Sequence, residues 1–265
     1  MLQMIFLGDC EHQVDADSLS VMQQLLAPTA ASLGQDFRQI CQRLHDDGWR
    51  AVQLSAAMPG VRPQDLGESA RRDVAATLRR LELIPAGMDL WIPRAHYLQS
   101  ETIDRVIGAI TAACSLARDL GIDVLSLQLP EESSLEASVM ETILAAAGSS
   151  GVILADHQFD RIPPELTAAG LDPAACLAMN QDPVEVAIRL GASLIAPRLS
   201  DLLETGMRGP IGLAAGRLDI PAYRAAVTTV ASHRPVVLDV RQLESPWEAL
   251  RQGRAAWRAS LPGTS

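Results

Sequence analysis

Between Leu171 and Asp201 the chain reads LDPAACLAMNQDPVEVAIRLGASLIAPRLSD, a complete helix-and-strand unit, and the rest of the sequence repeats that unit. Asp182-Pro183-x-Glu185 has the form of a helix start, with an acidic N-cap, proline at the first helical position and an acid at N3. The helix is expected from Pro183 to Leu190. Gly191 suits a left-handed C-cap, and Ala192 to Leu199 is an apolar run of strand length that ends in the polar tip Pro197, Arg198, Ser200 and Asp201.

The same alternation runs along the chain. Leu25 to Ala31 reads as a first strand, and Ser32-x-x-Gln35 resembles a capping box for the helix DFRQICQRLHDD, whose Phe37, Ile40, Cys41 and Leu44 share one face. Strand WRAVQLS follows, then a helical region from Pro63 to near Leu81, strand LIPAGMDL, a long helix from about Glu101 to Leu120, and strand IDVLSLQLP. Residues 135–148 read as helix, Gly151 to Ala155 as strand, and IPPELTAAG as a brief helix before Leu171. A glycine-rich crossing, TGMRGPIGLAAGRLD, leads to a helix from Pro221 to about Ser232, strand PVVLDVR and the last helix SPWEALRQGRAAWRASL. Alternation of this kind implies a parallel sheet with right-handed crossovers, and about eight strands is the number that closes a (β/α)8 barrel. An open doubly wound sheet is the alternative. No GxGxxG follows an early strand, which speaks against that sheet and against NAD.

At 265 residues one such domain accounts for the chain from residue 25 to 265, with residues 1–24 as an appended arm outside the repeat. The net charge of −10 would repel a phosphate backbone, so no nucleic-acid partner is expected. Cys10, Cys41, Cys114 and Cys176 form no CxxC pair and have apolar neighbours, which fits buried free thiols in a reducing cytosol. No segment reaches membrane-spanning length, and the N-terminus lacks a basic region and a cleavage site. All 22 basic residues are arginine. Without lysine there is no side-chain Schiff base, which excludes PLP enzymes, lysine-dependent aldolases and Walker-type NTPases.

The segments TAASLGQDFRQICQRLHDDGWRAVQLS, LDPAACLAMNQDPVEV, LIAPRLSD and GLAAGRLDIPAYRAAV, followed by VVLDVR, resemble in this order the xylose-isomerase-like TIM barrels, which include sugar-phosphate isomerases and epimerases. The likeness runs from about Thr29 to the C-terminus. It implies a divalent metal (Mn, Mg, Zn or Co) at the C-terminal mouth of the barrel, held by an acid after strand five, Asp after strand six, His after strand seven and Glu after strand eight. The match is partial. Ala155 stands at the first position with Asp156 and His157 beside it, Asp172 fits the second, Arg198 replaces the histidine, Ser200 a familiar lysine, and Asp239 can stand for the glutamate. The metal candidates are thus Asp156, His157, Asp172 and Asp239, and the catalytic candidates are Asp172, Asp239 and Arg198.

Each has a plainer reading. Asp172-Pro173 is also an ordinary N-cap and N1 pair, and Asp156 and His157 could simply end a strand. A fixed cation at a strand tip is costly unless paired, so Arg198 is expected to meet Asp172 or Asp239 at roughly 2.7 to 3.2 Å. A second cluster after strand three, Asp89, Trp91, Arg94, His96 and Tyr97, offers polar groups and an aromatic face to a sugar or polyol. Two functions compete: a sugar isomerase or epimerase working through an enediolate-type proton transfer, and an inactive barrel that binds a sugar-like ligand or a protein partner after losing the metal. A base-excision endonuclease on a related barrel is disfavoured by the acidic charge and the few histidines.

Overall fold

A computed structural model describes residues 24–131, 134–159 and 167–260. Along the chain its strands are β1 (Leu26–Pro28), β2 (Ala51–Ser55), β3 (Ile84–Asp89), β4 (Val124–Leu127), β5 (Ile153–Asp156), β6 (Ala168–Leu171), β7 (Leu194–Leu199), β8 (Asp201–Leu202), β9 (Arg208–Gly209) and β10 (Val236–Leu238). Between them run α1 (Phe37–Asp46), α2 (Glu68–Arg80), α3 (Ser100–Asp119), α4 (Ala137–Ser150), α5 (Pro173–Ala178), α6 (Pro183–Leu190), α7 (Ile220–Val230) and α8 (Pro246–Ala259). Eight of the strands form one parallel sheet in the order β1-β10-β7-β6-β5-β4-β3-β2, and a parallel bridge from Thr29 to Gln53 joins its two ends. The result is the (β/α)8 TIM barrel expected from the alternation.

Register fixes what reaches the mouth. Ser55, Asp89, Ser126 and Ala155 stand level across β2 to β5, and Arg198 stands opposite Val237. Asp89 and Asp156 are the last residues of their strands, Arg198 is next to last in β7, and Asp239 follows β10. In a parallel barrel all four therefore lie at the same, C-terminal end, as the sequence expects. Around this sheet the helices bury one face each: α1 buries Phe37, Ile40, Cys41 and Leu44, the set read from its periodicity.

Several local readings change. Asp36, not Ser32, caps α1, accepting from the backbone N–H groups of Arg38 and Gln39, while Ser32 belongs to a 3-10 turn. Residues 168–170, read as the end of a brief helix, are strand β6; the start of that stretch lies outside the described residues. The region from Pro63 is a 3-10 turn over Pro63–Asp65 and only then helix α2. The unit from Asp182 onward matches its reading at the helix start, where the Asp182 carboxylate accepts from Val184 N at 2.8 Å; at its end Gly191 has φ 53° but ψ −135°, outside the expected left-handed helical cap, and a 3-10 turn over Gly191–Ser193 delays the strand to Leu194. Cys41, Cys114 and Cys176 are buried free thiols, and burial pushes Cys41 and Cys176 up to about 12 and Cys114 to about 11. Cys10 and the proposed arm, apart from its last residue, lie outside the described residues. Among the described residues no helix is long and apolar enough to cross a membrane.

The crossing after β7 is not a plain loop. Strands β8 and β9 pair as an antiparallel hairpin, and the buried Asp201 carboxylate ties it down by accepting from the N–H groups of Leu202, Arg217 and Leu218 at 2.8, 3.0 and 2.9 Å. A Cβ at Gly216 would overlap that carboxylate. Gly216→Ala should therefore loosen the hairpin and cost about 1–3 kcal/mol, as overpacking does. Urea unfolding should show the loss, and limited proteolysis should cut the variant first between residues 203 and 216.

Candidate functional site

The centre of the mouth is a network of three guanidinium and three carboxylate groups. Arg198 has no exposed surface at all, 0%, and is among the largest fully buried side chains. Its Nη1 donates to Asp239 Oδ2 at 3.1 Å, and its Nη2 donates to Asp89. Asp89 also accepts from Gln53 Nε2 at 2.7 Å, so this carboxylate is held from both sides inside the barrel. Tyr223 of α7 donates its hydroxyl to the Arg198 carbonyl at 2.7 Å, clamping the strand that carries the arginine. The expected pairing with Asp239 is present; Asp172 is taken by a different arginine.

That arginine is Arg208, delivered by the hairpin. Its Nη2 donates to Asp172 Oδ2, and its Nη1 lies 3.7 Å from Asp239. Asp172 Oδ1 accepts from the Ser200 hydroxyl at 2.6 Å. The Ser200 oxygen in turn accepts from Ala174 N at 3.0 Å. Asp172 occupies the N-cap position of α5 with Pro173 at N1, yet its own side chain makes no cap hydrogen bond. The hydroxyl does the capping, and the carboxylate faces the mouth. The third arginine, Arg241, grips Asp239 through Nε at 2.8 and 3.0 Å and through Nη2. Burial alone would raise the Asp239 pKa, but the Arg198 charge, the Arg241 hydrogen bond and charge and the Arg208 charge outweigh it. They hold the carboxyl well below the usual range. Arg241 is raised in turn: burial pulls it down, and the Asp239 bond and charge more than compensate.

Three of these ions, Asp172, Arg208 and Arg241, line a cleft of about 370 Å3, within the roughly 300–1,000 Å3 of small-molecule sites. Its walls include Trp91, Gln128, His157, Asp172, Arg208, Arg241 and Gln242. Trp91 stands among cations, with the Arg198 and Arg241 guanidinium carbons 4.9 and 4.6 Å from its ring. The His157 ring meets it edge-on at 5.1 Å and 76°. That imidazole lies against Gly170 of β6, where any Cβ would occupy the ring's place, and neither ring nitrogen has a hydrogen-bond partner among the described residues. Burial, reinforced by Arg198 and Arg241 and opposed by Asp239, holds His157 well below its ordinary pKa, so it is a neutral base. Gln242 sits at φ 67°, a left-handed conformation that a non-glycine residue holds only when its surroundings impose it.

The remaining candidates are placed elsewhere. Asp156 is buried with Oδ1 accepting from Leu129 N and Gln158 N, both at 3.1 Å, and does not line the cleft. Arg94 and His96 are exposed on a 3-10 turn and do not line it either; Tyr97 beside them is buried. Asp89 faces Arg198 in the barrel interior rather than the cleft. Arg208, Arg241, Gln128 and Gln242 were not singled out from the sequence. Arg208 sits in a glycine-rich crossing with no periodicity to place it, whereas Arg241, two residues beyond Asp239, was legible.

The residues present do not fit a divalent cation. Among the described residues no group of three or more His, Cys, Asp and Glu side chains could hold one. Asp172 and Asp239 have their oxygens committed to Arg208, Arg198, Arg241 and Ser200, and the position that would bring an imidazole brings a guanidinium, which has no lone pair.

Two predictions follow from these charges. Arg198→Met should cost about 3–5 kcal/mol in chemical denaturation, because it leaves Asp89 buried without its cation. His157 has a folded pKa below its unfolded one, so the unfolded chain binds a proton that the folded chain refuses. Its contribution is whole above the unfolded value near 6.5 and falls below it, by about 1.4 kcal/mol at one pH unit lower. Urea titrations at pH 7.5 and 5.5 should show this loss in the parent protein and a flatter response in His157→Asn.

No protein-family model and no curated protein sequence matches the chain. Solved structures do. A xylose isomerase domain protein from Planctomyces limnophilus superposes with TM-score 0.71 at 15% identity, covering 89% of this chain and 96% of that one. D-psicose 3-epimerase with D-tagatose from Clostridium cellulolyticum H10 gives 0.64 at 10% identity, covering 89% and 98%. A sugar phosphate isomerase/epimerase from Parabacteroides distasonis ATCC 8503 gives 0.63 at 15%, covering 90% and 95%. By fold, then, the chain is a (β/α)8 TIM barrel, the architecture it shares with those three structures.

Proposed function

We propose that the mouth binds a small sugar or polyol bearing an acid group, a carboxylate or a phosphate, and that guanidinium groups do there what a metal does in the barrels this chain resembles. One observation carries the reading: Asp172 and Asp239, which would be metal ligands, are each bound by arginine, and two of these arginines, Arg208 and Arg241, also line the cleft. A guanidinium has five N–H donors, so one that spends some on a carboxylate keeps others for a ligand anion. Trp91 supplies an aromatic face for the apolar side of a sugar ring, and Gln128 and Gln242 supply amide groups for hydroxyls.

The same geometry supports chemistry of the isomerase and epimerase kind. An enediolate forms when a base removes the proton beside a carbonyl, and the developing oxyanion needs preorganised positive charge. His157 is the neutral base on the cleft wall, and Arg208 and Arg241 are the charges. In the second reading, an inactive barrel, the same groups bind a ligand and move no proton; Ala155 and Arg198, where the resemblance implies an acid and a histidine, favour it.

Calorimetry with a hexose phosphate, an aldonate and a neutral ketohexose should give binding for the first two, unchanged by EDTA and weakened at least tenfold by Arg208→Gln. Tight EDTA-sensitive binding of the neutral sugar would overturn the reading. In deuterium oxide, NMR loss of the proton beside the carbonyl of a bound ketose phosphate, abolished in His157→Asn, separates enzyme from binder.

A further inference from the structure

The opposite end of the barrel carries a second cluster of arginines, independent of the mouth. A cavity of about 270 Å3 opens where β1 and β2 begin, between the turn after α1 and the last turns of α8. Arg50, Arg224, Arg254 and Arg258 line it, together with Trp49 and Trp257. Both indoles serve as backing plates: the Arg254 guanidinium lies 4.5 Å from the Trp49 ring and that of Arg224 4.7 Å from the Trp257 ring. Stacking fixes the planes of these groups and leaves their edges for hydrogen bonds.

Their protein partners are few and neutral. Arg224 Nη1 donates to the Trp257 carbonyl and to Ser260 Oγ, Arg254 Nη1 to the Asp47 carbonyl at 2.7 Å, and Arg50 Nη1 to the Trp49 carbonyl at 3.3 Å. Among the described residues no ion pair joins any of the four to a carboxylate, although the chain has ten more acidic than basic residues. The Asp47 carboxylate acts on Arg254 through its charge, while the hydrogen bond between the two residues goes to the Asp47 carbonyl. Arg224 is nearly buried at 8% exposure, and the Trp257 Nε1 donor is buried with no partner among the described residues. Burial lowers Arg224, and burial with the charge of Arg258 lowers Arg254 against the opposing charge of Asp47.

Four converging cations, each with donors to spare, and an orphaned buried N–H are complementary to a compact anion with several acceptor oxygens. A carboxylate offers two oxygens and a phosphate group more, in the geometry that guanidinium forks match. The stacked indoles have arginine on their faces, so no second aromatic group can be sandwiched there. We infer that this basal cavity is a binding site for a phosphate group, free or as the terminal phosphate of a small ester, separate from the cleft at the mouth. Its position is unusual for the fold, whose N-terminal face ordinarily serves stability rather than ligands.

The site can be separated from the mouth by experiment. Inorganic phosphate should bind the full-length protein saturably in calorimetry and raise its thermal midpoint beyond a sodium chloride control of equal ionic strength. In an Arg208→Gln background, which disables the anion site at the mouth, that saturable binding should persist, and adding Arg50→Gln/Arg258→Gln, both exposed positions that should tolerate glutamine, should weaken it at least tenfold. The reverse pattern, or no saturable binding, would overturn the inference. A further full-length variant removes a competing source of anions by changing Asp9, Asp15 and Asp17 to Asn and Glu11 to Gln. Equal affinity in that variant and the parent supports a phosphate site; binding only in the neutralised variant would mean that the chain's own carboxylates are the anion.

Discussion

Everything at the mouth depends on an arginine buried in the barrel. A guanidinium cannot shed its charge, so Arg198 is stable without solvent only because Asp239, just beyond the neighbouring strand, and Asp89, from across the barrel, both meet it. Asp239 follows β10, which pairs directly with β7, whereas Asp89 ends β3, four strands away in the sheet, and closure of the barrel is what brings it to the cation on β7. Fold and charge are therefore interdependent: the barrel assembles the ions, and the ions are tolerable only when assembled. The cost shows in the Arg198 Nε donor, which is buried with no partner.

The same arrangement explains the chemistry of the neighbouring groups. Positive charge on one side and burial on the other keep His157 neutral, while three guanidiniums keep Asp239 ionised. A base and a set of fixed cations thus share one cleft without neutralising each other, the separation of protonation states on which proton-transfer sites rest. A divalent ion would reach a similar balance with fewer residues. Here it is distributed over side chains from β7, the hairpin and the segment after β10.

How far the sequence could be read depended on local physics. Strands such as VLSL and LIAPRL announce themselves because a parallel barrel buries them on both sides, giving short apolar runs bounded by glycine or charge. Strand β6, AAGL, gave no such signal: alanine and glycine have weak strand propensity, and what decides the segment is tertiary, since Gly170 must be bare for His157 to lie against it. Arg198 and Asp239 were legible as charges at apolar strand ends. Arg208 was not, because a two-residue strand is too short to show a period and its partner Asp172 is distant in sequence. Asp89 was read as a ligand contact, and only the closed barrel shows it turned toward Arg198.

The hairpin that bears Arg208 differs in kind from the strands that bear the other ions. Strand-borne charges leave the mouth only if the barrel unfolds, but Arg208 rides on a hairpin anchored by its own backbone pairing and by the buried Asp201 carboxylate, so opening of the hairpin alone would be a local unfolding event. Opening removes a single positive charge from the rim and leaves Asp172 facing water with only Ser200 for company. The net charge of the entrance is then tied to a local folding equilibrium, and an anion that bridges Arg208 to the cleft would draw the loop shut behind it, coupling capture of the ligand to its enclosure.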